Sequence, residues 1–210
     1  MTVLLHGLGV GRRYLRRLAA ELGPEARTPE VREPLTIPAL AERFAAAFDG
    51  PAAVVANSMG CHVAVELAVR RPELVESLVL VGPTVDPRAR SYLRHVGRLL
   101  LDSWYEPPTL TGIVVVDYLS MGPLDVLRQA RHALAHRIEQ VLPRVEQPAV
   151  VVRGSHDPLC PAAWANEAAS LLPRGRLVTI AGAAHAAHYS HPQEVARLVR
   201  ELRGTPAAAG

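Results

Sequence analysis

Short runs of consecutive apolar residues alternate with longer amphipathic stretches along most of this chain. The runs lie at residues 3–5, 52–56, 78–81, 149–152 and 177–180. They lack the in–out alternation of a half-exposed strand, so they read as strands buried on both faces. The stretches at 11–22, 37–48, 59–69, 162–172 and 192–202 have helical spacing. In the first of them Tyr14, Leu15, Leu18 and Leu22 share one face. Buried strands joined by amphipathic helices predict an α/β fold in three layers, with a mostly parallel sheet of about six strands.

Residues 88–147 break this alternation. Helical pieces at 92–102 and 123–142 flank a Pro107-Pro108 break. The run Ile113-Val114-Val115-Val116 has strand composition, but within a helical block it reads as a buried helix segment. The block is expected to be a helical cap inserted into a core formed by 1–87 and 148–204, with 205–210 a disordered tail. A cap above the strands' carboxyl ends is where a substrate pocket would form. Trp104, Tyr105, Tyr118 and Met121 are candidates for its walls, and the alternative is that they form the cap's own core.

Composition narrows the function classes. A pI near 9.2 invites a nucleic-acid reading. Yet the chain has no lysine, so all 23 basic residues are arginine, and net charge is only +3. The arginines are spread among glutamates rather than gathered in a stripe, which argues against a nucleic-acid partner. No apolar run approaches a bilayer's thickness, and the first residues lack a signal-peptide pattern. The expectation is a cytoplasmic protein without a membrane span, with Cys61 and Cys160 as free thiols.

The candidate chemistry lies in four loops, each just after a strand. Ala56-Asn57-Ser58-Met59-Gly60 joins a buried strand to a helix through small residues. A sharp turn there would lift Ser58 toward a helix N-terminus, whose partial positive charge favours an anionic intermediate. His6-Gly7-Leu8-Gly9 stands where an oxyanion loop would, so the Leu8 and Met59 amides are candidate donors. Asp157 follows the first strand after the cap, and His185 follows the last strand. Serine, acid and histidine then occur in the order expected of a nucleophile, orienting acid and base. Asp86 is a rival for the acid. The repeat His185, His188, His191 suggests a metal, but no carboxylate or cysteine lies within it, and no metal is expected. Cys61 reads as a packing residue rather than a nucleophile.

With these motifs in place, the chain resembles the α/β-hydrolases of capped esterase and lipase type over essentially its whole length. The stretch Ala183-Ala184-His185-Ala186-Ala187-His188-Tyr189-Ser190-His191-Pro192 is similar to that of pimeloyl-ester carboxylesterases. Asn57-Ser58-Met59-Gly60 resembles the elbow of hydrolases that cut carbon–carbon bonds in ring-cleavage products. Those enzymes usually carry tryptophan after the histidine, where this chain has Ala186. The family usually has two strands before the His-Gly loop, and here only residues 1–5 precede it. A shortened sheet and a misassigned start both account for that. The family's strand order would leave residues 26–34, with Pro29 and Pro34, at a protected edge.

The resemblance implies a serine hydrolase acting on a small-molecule ester or thioester without a cofactor. Carbon–carbon bond hydrolysis and a non-catalytic ligand-binding role are the alternatives.

Overall fold

The computed structural model describes residues 1–204. Six parallel strands form one sheet in the order β2-β1-β3-β4-β5-β6. They are β1 Thr2–Leu5, β2 Ala26–Arg27, β3 Ala52–Asn57, β4 Val75–Val81, β5 Ala149–Gly154 and β6 Gly175–Ile180. Neighbouring residues along each strand face opposite layers. Val54, Ala56, Leu78, Leu80 and Val151 enter one core, while Val55, Val79, Val81, Val150 and Val152 enter the other. Both faces are therefore dry, which is why the runs show no polar alternation.

Helices α2 Ile37–Ala45, α3 Met59–Arg70 and α8 Ala162–Leu171 cover the first face. Helices α1 Arg12–Leu22 and α10 Pro192–Gly204 cover the second, with a one-turn helix α9 at Ala187–Ser190. The weak segment 26–34 yields only β2, paired with Thr2 and Val3 at the sheet edge. Two paired residues present little open edge.

Between β4 and β5 the chain forms α4 Tyr92–Tyr105, α5 Pro108–Met121, α6 Pro123–Ala135 and a single turn, α7 Ile138–Val141. Two expectations need correction here. The helix expected over 123–142 is broken at His136, whose backbone is extended at φ −73° and ψ 133°. Its ring is drawn inward to His62 and Glu66. The run Ile113-Val114-Val115-Val116 is helical, but Val115 and Val116 are about half exposed, at 52% and 49%. Helix α5 is apolar on every side, so its pattern could not mark which face is covered. Among the described residues no single helix is long and apolar enough to cross a membrane. The expected tail 205–210 lies outside the described residues.

Candidate active site

The strands' carboxyl ends bring the four loops together. After β3 the chain turns at Ser58, whose backbone sits at φ 58° and ψ −123°. A non-glycine residue there is strained, and such strain concentrates where a side chain must be presented. Gly60 explains the small-residue pattern. A Cβ at that position would lie 2.7 Å from the His6 carbonyl oxygen and 2.8 Å from that of Leu5. Helix α3 begins at Met59, so the first amides of that helix have no intrahelical partner.

The His6-Gly7-Leu8-Gly9 loop packs against this turn. A Cβ on Gly7 would stand 3.3 Å from the Ser58 Cβ. His6 clips the loop. Its Nε2 accepts from the Val31 amide at 3.3 Å, leaving Nδ1 to donate to the Gly7 carbonyl at 2.9 Å. Burial pulls its pKa below the ordinary value.

Asp157 and His185 meet. The His185 Nδ1 lies 2.9 Å from Asp157 Oδ2, and Asp157 Oδ1 accepts from the Leu159 and Cys160 amides at 2.8 and 2.9 Å. Burial pushes the Asp157 carboxyl up, but the His185 charge and these donors leave it below its usual range. Burial pulls His185 down, and the charge and hydrogen bond of Asp157, with help from Asp102 and Glu106, raise it to about 9. The other nitrogen of His185, Nε2, is buried without a partner. Two glycines make room. A Cβ on Gly82 would press within 2.8 Å of the imidazole, and one on Gly154 would meet the Ala184 carbonyl oxygen at 2.1 Å.

Ser58, Leu8, Met59 and His185 line a cavity of about 370 Å3 roofed by α4, α5 and α6. Tyr118 lines it too and presses on Gly9, where a Cβ would be 3.0 Å from its ring. Burial pushes Tyr118 up to about 12. The other aromatic and Met candidates are not on the wall. Trp104 is 87% exposed, Tyr105 is half exposed and stacks on His156, and Met121 is partly buried elsewhere. These residues sit on the outward side of α4 and at the end of α5, away from the space the helices enclose.

The rivals take other partners. Asp86 accepts from the Arg88 amide at 3.0 Å, capping a short turn. The rings of His185, His188 and His191 do not converge. His188 packs against Tyr14 at 4.6 Å, and His191 Nδ1 is 3.0 Å from Ser190 Oγ. Cys61 is buried, and burial pushes its thiol well above the ordinary value.

Three contributors were missed in the sequence. Asn57 donates to the Val81 and His185 carbonyls at 3.1 and 3.2 Å and accepts from the Tyr14 hydroxyl at 2.8 Å. It thus ties the turn, β4 and the histidine loop together. Asp102 and Glu106 reach down from α4 to accept from the backbone amides of His185 (3.1 Å) and Ala186 (2.5 Å). Their four-residue spacing at the end of α4 was the available signal.

Comparison with known proteins finds relatives along nearly the whole chain. Residues 2–198 match the model of the alpha/beta hydrolase family. A pimeloyl-[acyl-carrier protein] methyl ester esterase of Neisseria meningitidis serogroup B (strain H44/76) is 28% identical, over 95% of this chain and 91% of that protein. The crystal structure of BpoC from Mycobacterium tuberculosis H37Rv superposes with a TM-score of 0.73 at 26% identity, covering 96% of this chain and 91% of that one. The enol-lactonase of Burkholderia xenovorans LB400 shares the fold, with a TM-score of 0.77 at 20% identity and coverage of 97% and 91%. The parallel sheet, the helical insertion after β4 and the match along nearly the whole chain identify it as a member of the alpha/beta hydrolase family.

Proposed function

We propose that this esterase-type hydrolase works through an acyl-enzyme on Ser58. His185 Nε2 removes the Ser58 proton as the hydroxyl attacks an ester carbonyl, and the Leu8 and Met59 amides receive the developing oxyanion. His185 then protonates the departing alcohol. Water, activated by the same nitrogen, releases the acid. Asp157 holds the imidazole with Nδ1 protonated, leaving Nε2 free to act. The observation that carries this reading is the His185–Asp157 bond at 2.9 Å with Nε2 unpartnered in the cavity that Ser58 also lines.

The substrate class we propose is a small to medium acyl ester or thioester. The cavity volume suits such a ligand. The name of the Neisseria relative specifies a methyl ester on an acyl chain, which supports the same class. In this reading, residues 88–147 act as the cap that walls the acyl chain from water.

A fluorophosphonate should label Ser58 covalently. Ser58→Ala should lose labelling and at least about a thousandfold in kcat/KM with an unchanged melting temperature. Ester hydrolysis within tenfold of wild type in that variant would overturn the assignment.

A further inference from the structure

The cavity wall is mostly apolar, and its polar groups include hydroxyls, two histidines and two carboxyls. Asp102 and Glu106 line it, both more than nine-tenths buried. Glu106 Oε1 is engaged by the Ala186 amide, while Oε2 has no partner. His95 also lines the cavity. Its Nδ1 donates to the Ser91 carbonyl at 3.3 Å, so Nε2 is a bare acceptor, and it too lacks a partner.

The hydroxyls of Tyr14, Tyr92 and Ser103 are spent on Asn57, Leu127 and Leu100. No arginine lines the wall, although the chain carries 23. Burial raises Asp102 to about 6 and Glu106 to about 7, against the opposing pull of the His185 charge.

We infer that the cavity selects esters bearing a primary ammonium on their acyl arm, received by Glu106 and Asp102, and rejects arms ending in a free carboxylate. The inference rests on reading this cavity as the substrate site. The carboxyls are already removed from water whether or not a ligand is present, so an arriving ammonium meets acceptors whose own desolvation is complete. Asp102 and Glu106, four residues apart, offer carboxyl oxygens to the hydrogens of an ammonium. A carboxylate in the same place would meet two acidic side chains of its own charge sign.

The test uses methyl esters of ω-amino acids, from β-alanine to 6-aminohexanoic acid. Each is paired with its neutral ω-methyl isostere and its ω-carboxylate counterpart. With wild-type protein, the ammonium ester of best length should exceed its neutral isostere in kcat/KM by on the order of tenfold to a hundredfold, with the carboxylate slowest. Glu106→Gln and Asp102→Asn keep an oxygen for the backbone amides, so the histidine loop stays held. In each the ammonium-to-neutral ratio should fall, and in the double variant it should approach unity.

Calorimetry with Ser58→Ala should give the same order of affinities without turnover. Equal rates for ammonium and neutral esters, or a ratio untouched by the double variant, would overturn the inference while fluorophosphonate labelling of Ser58 left the esterase reading standing. Preferential binding of the ammonium ester with no labelling of Ser58 would support the recognition and remove the nucleophile.

Discussion

The sheet and the helices above it are held by different physics. Inside the sheet layers, side chains of β3, β4 and β5 are almost all apolar and buried, and close packing fixes their positions. The four helices between β4 and β5 keep much of their apolar surface outside. Leu93, Leu100, Trp104, Leu119 and Leu124 are each at least two-thirds exposed.

That layer packs Leu110, Ile138 and Val141 into the core, and it also grips the core through buried polar contacts. Asp117 of α5 accepts from the Gly11 amide at 3.0 Å and from Arg13 at 2.8 Å. Gln129 of α6 donates to Met59 Sδ, His136 lies 2.9 Å from Glu66, and Asp102 and Glu106 hold the histidine loop. Every contact except the one at Glu66 lands on or beside a loop of the candidate site. Volume changes in the sheet should therefore cost stability, whereas single polar changes above it should alter activity or cap docking.

The largest effect should come from the sheet side. Trp164 is fully buried in the core on one face of the sheet, and its indole donates to the Pro83 carbonyl at 2.9 Å. Trp164→Ala removes that bond and opens a cavity, with an expected loss of about 3–5 kcal/mol in chemical denaturation. A loss under 1 kcal/mol would mean that the core collapses around the change, contrary to a layer fixed by packing.

Next in size is the pH profile, where the two regions meet at one imidazole. Asp157 from below and Asp102 and Glu106 from above raise His185 to about 9. Ester hydrolysis needs the neutral form, so kcat/KM should climb roughly tenfold per pH unit up to about 9. The sign for stability is opposite. A histidine raised above its unfolded value of 6.5 contributes fully below about 6.5, and that contribution is lost as pH rises through 9. Activity should thus rise over the window in which this contribution fades. Asp102→Asn removes one of the negative charges and should move this rising limb to lower pH. A limb that stays in place would show that the cap charge does not reach the imidazole.

The cap's anchor on α3 should cost less. Glu66 and the Thr84 carbonyl end a chain through His136 and His62, with links of 2.9, 3.0 and 3.2 Å. The chain's last link is a hydrogen bond from His136 Nε2 to Glu66. That contact, against the opposing effect of burial, depresses the Glu66 carboxyl to about 2. A depressed carboxylate contributes stability above its unfolded value of 4.5 and loses it as pH falls toward 2. Glu66→Ala should lower stability by about 1.5–3 kcal/mol and flatten the acid limb of the unfolding curve. An unchanged acid limb would exclude this chain as the anchor.

The same contrast explains what could be read from the sequence. Strands packed on both faces declare themselves as unbroken apolar runs, and glycine and proline mark their ends. The turn at Ser58 was legible because close approach to β1 demands small neighbours. The four-loop convergence followed from parallel topology, since every strand's carboxyl end lies on one side. The cap was legible only as a helical block. Helix α5 is apolar all round, and no local rule says that His136 interrupts a helix to reach Glu66. Asp102 and Glu106 escaped notice because a carboxylate on a helix ordinarily faces water.

The smallest expected effect completes the comparison, because the chain's two tryptophans fall one in each region. The sequence made Trp104, near the Pro107-Pro108 break, a candidate for the pocket wall, with the cap's own core as the alternative. The structure puts it on the outer face of α4 with 87% of its surface open. Burial, not residue type, sets what a side chain contributes, so an indole that has left little surface behind in water has little to lose. Trp104→Ala should shift stability by no more than about 0.5 kcal/mol and should leave relative rates on short- and long-chain esters unchanged. Tyr118→Ala makes the informative partner, since its ring lines the cavity and rests on Gly9. It should alter chain-length preference where Trp104→Ala does not. If Trp104→Ala changed that preference and Tyr118→Ala did not, the cap would close on substrate in an arrangement different from this one.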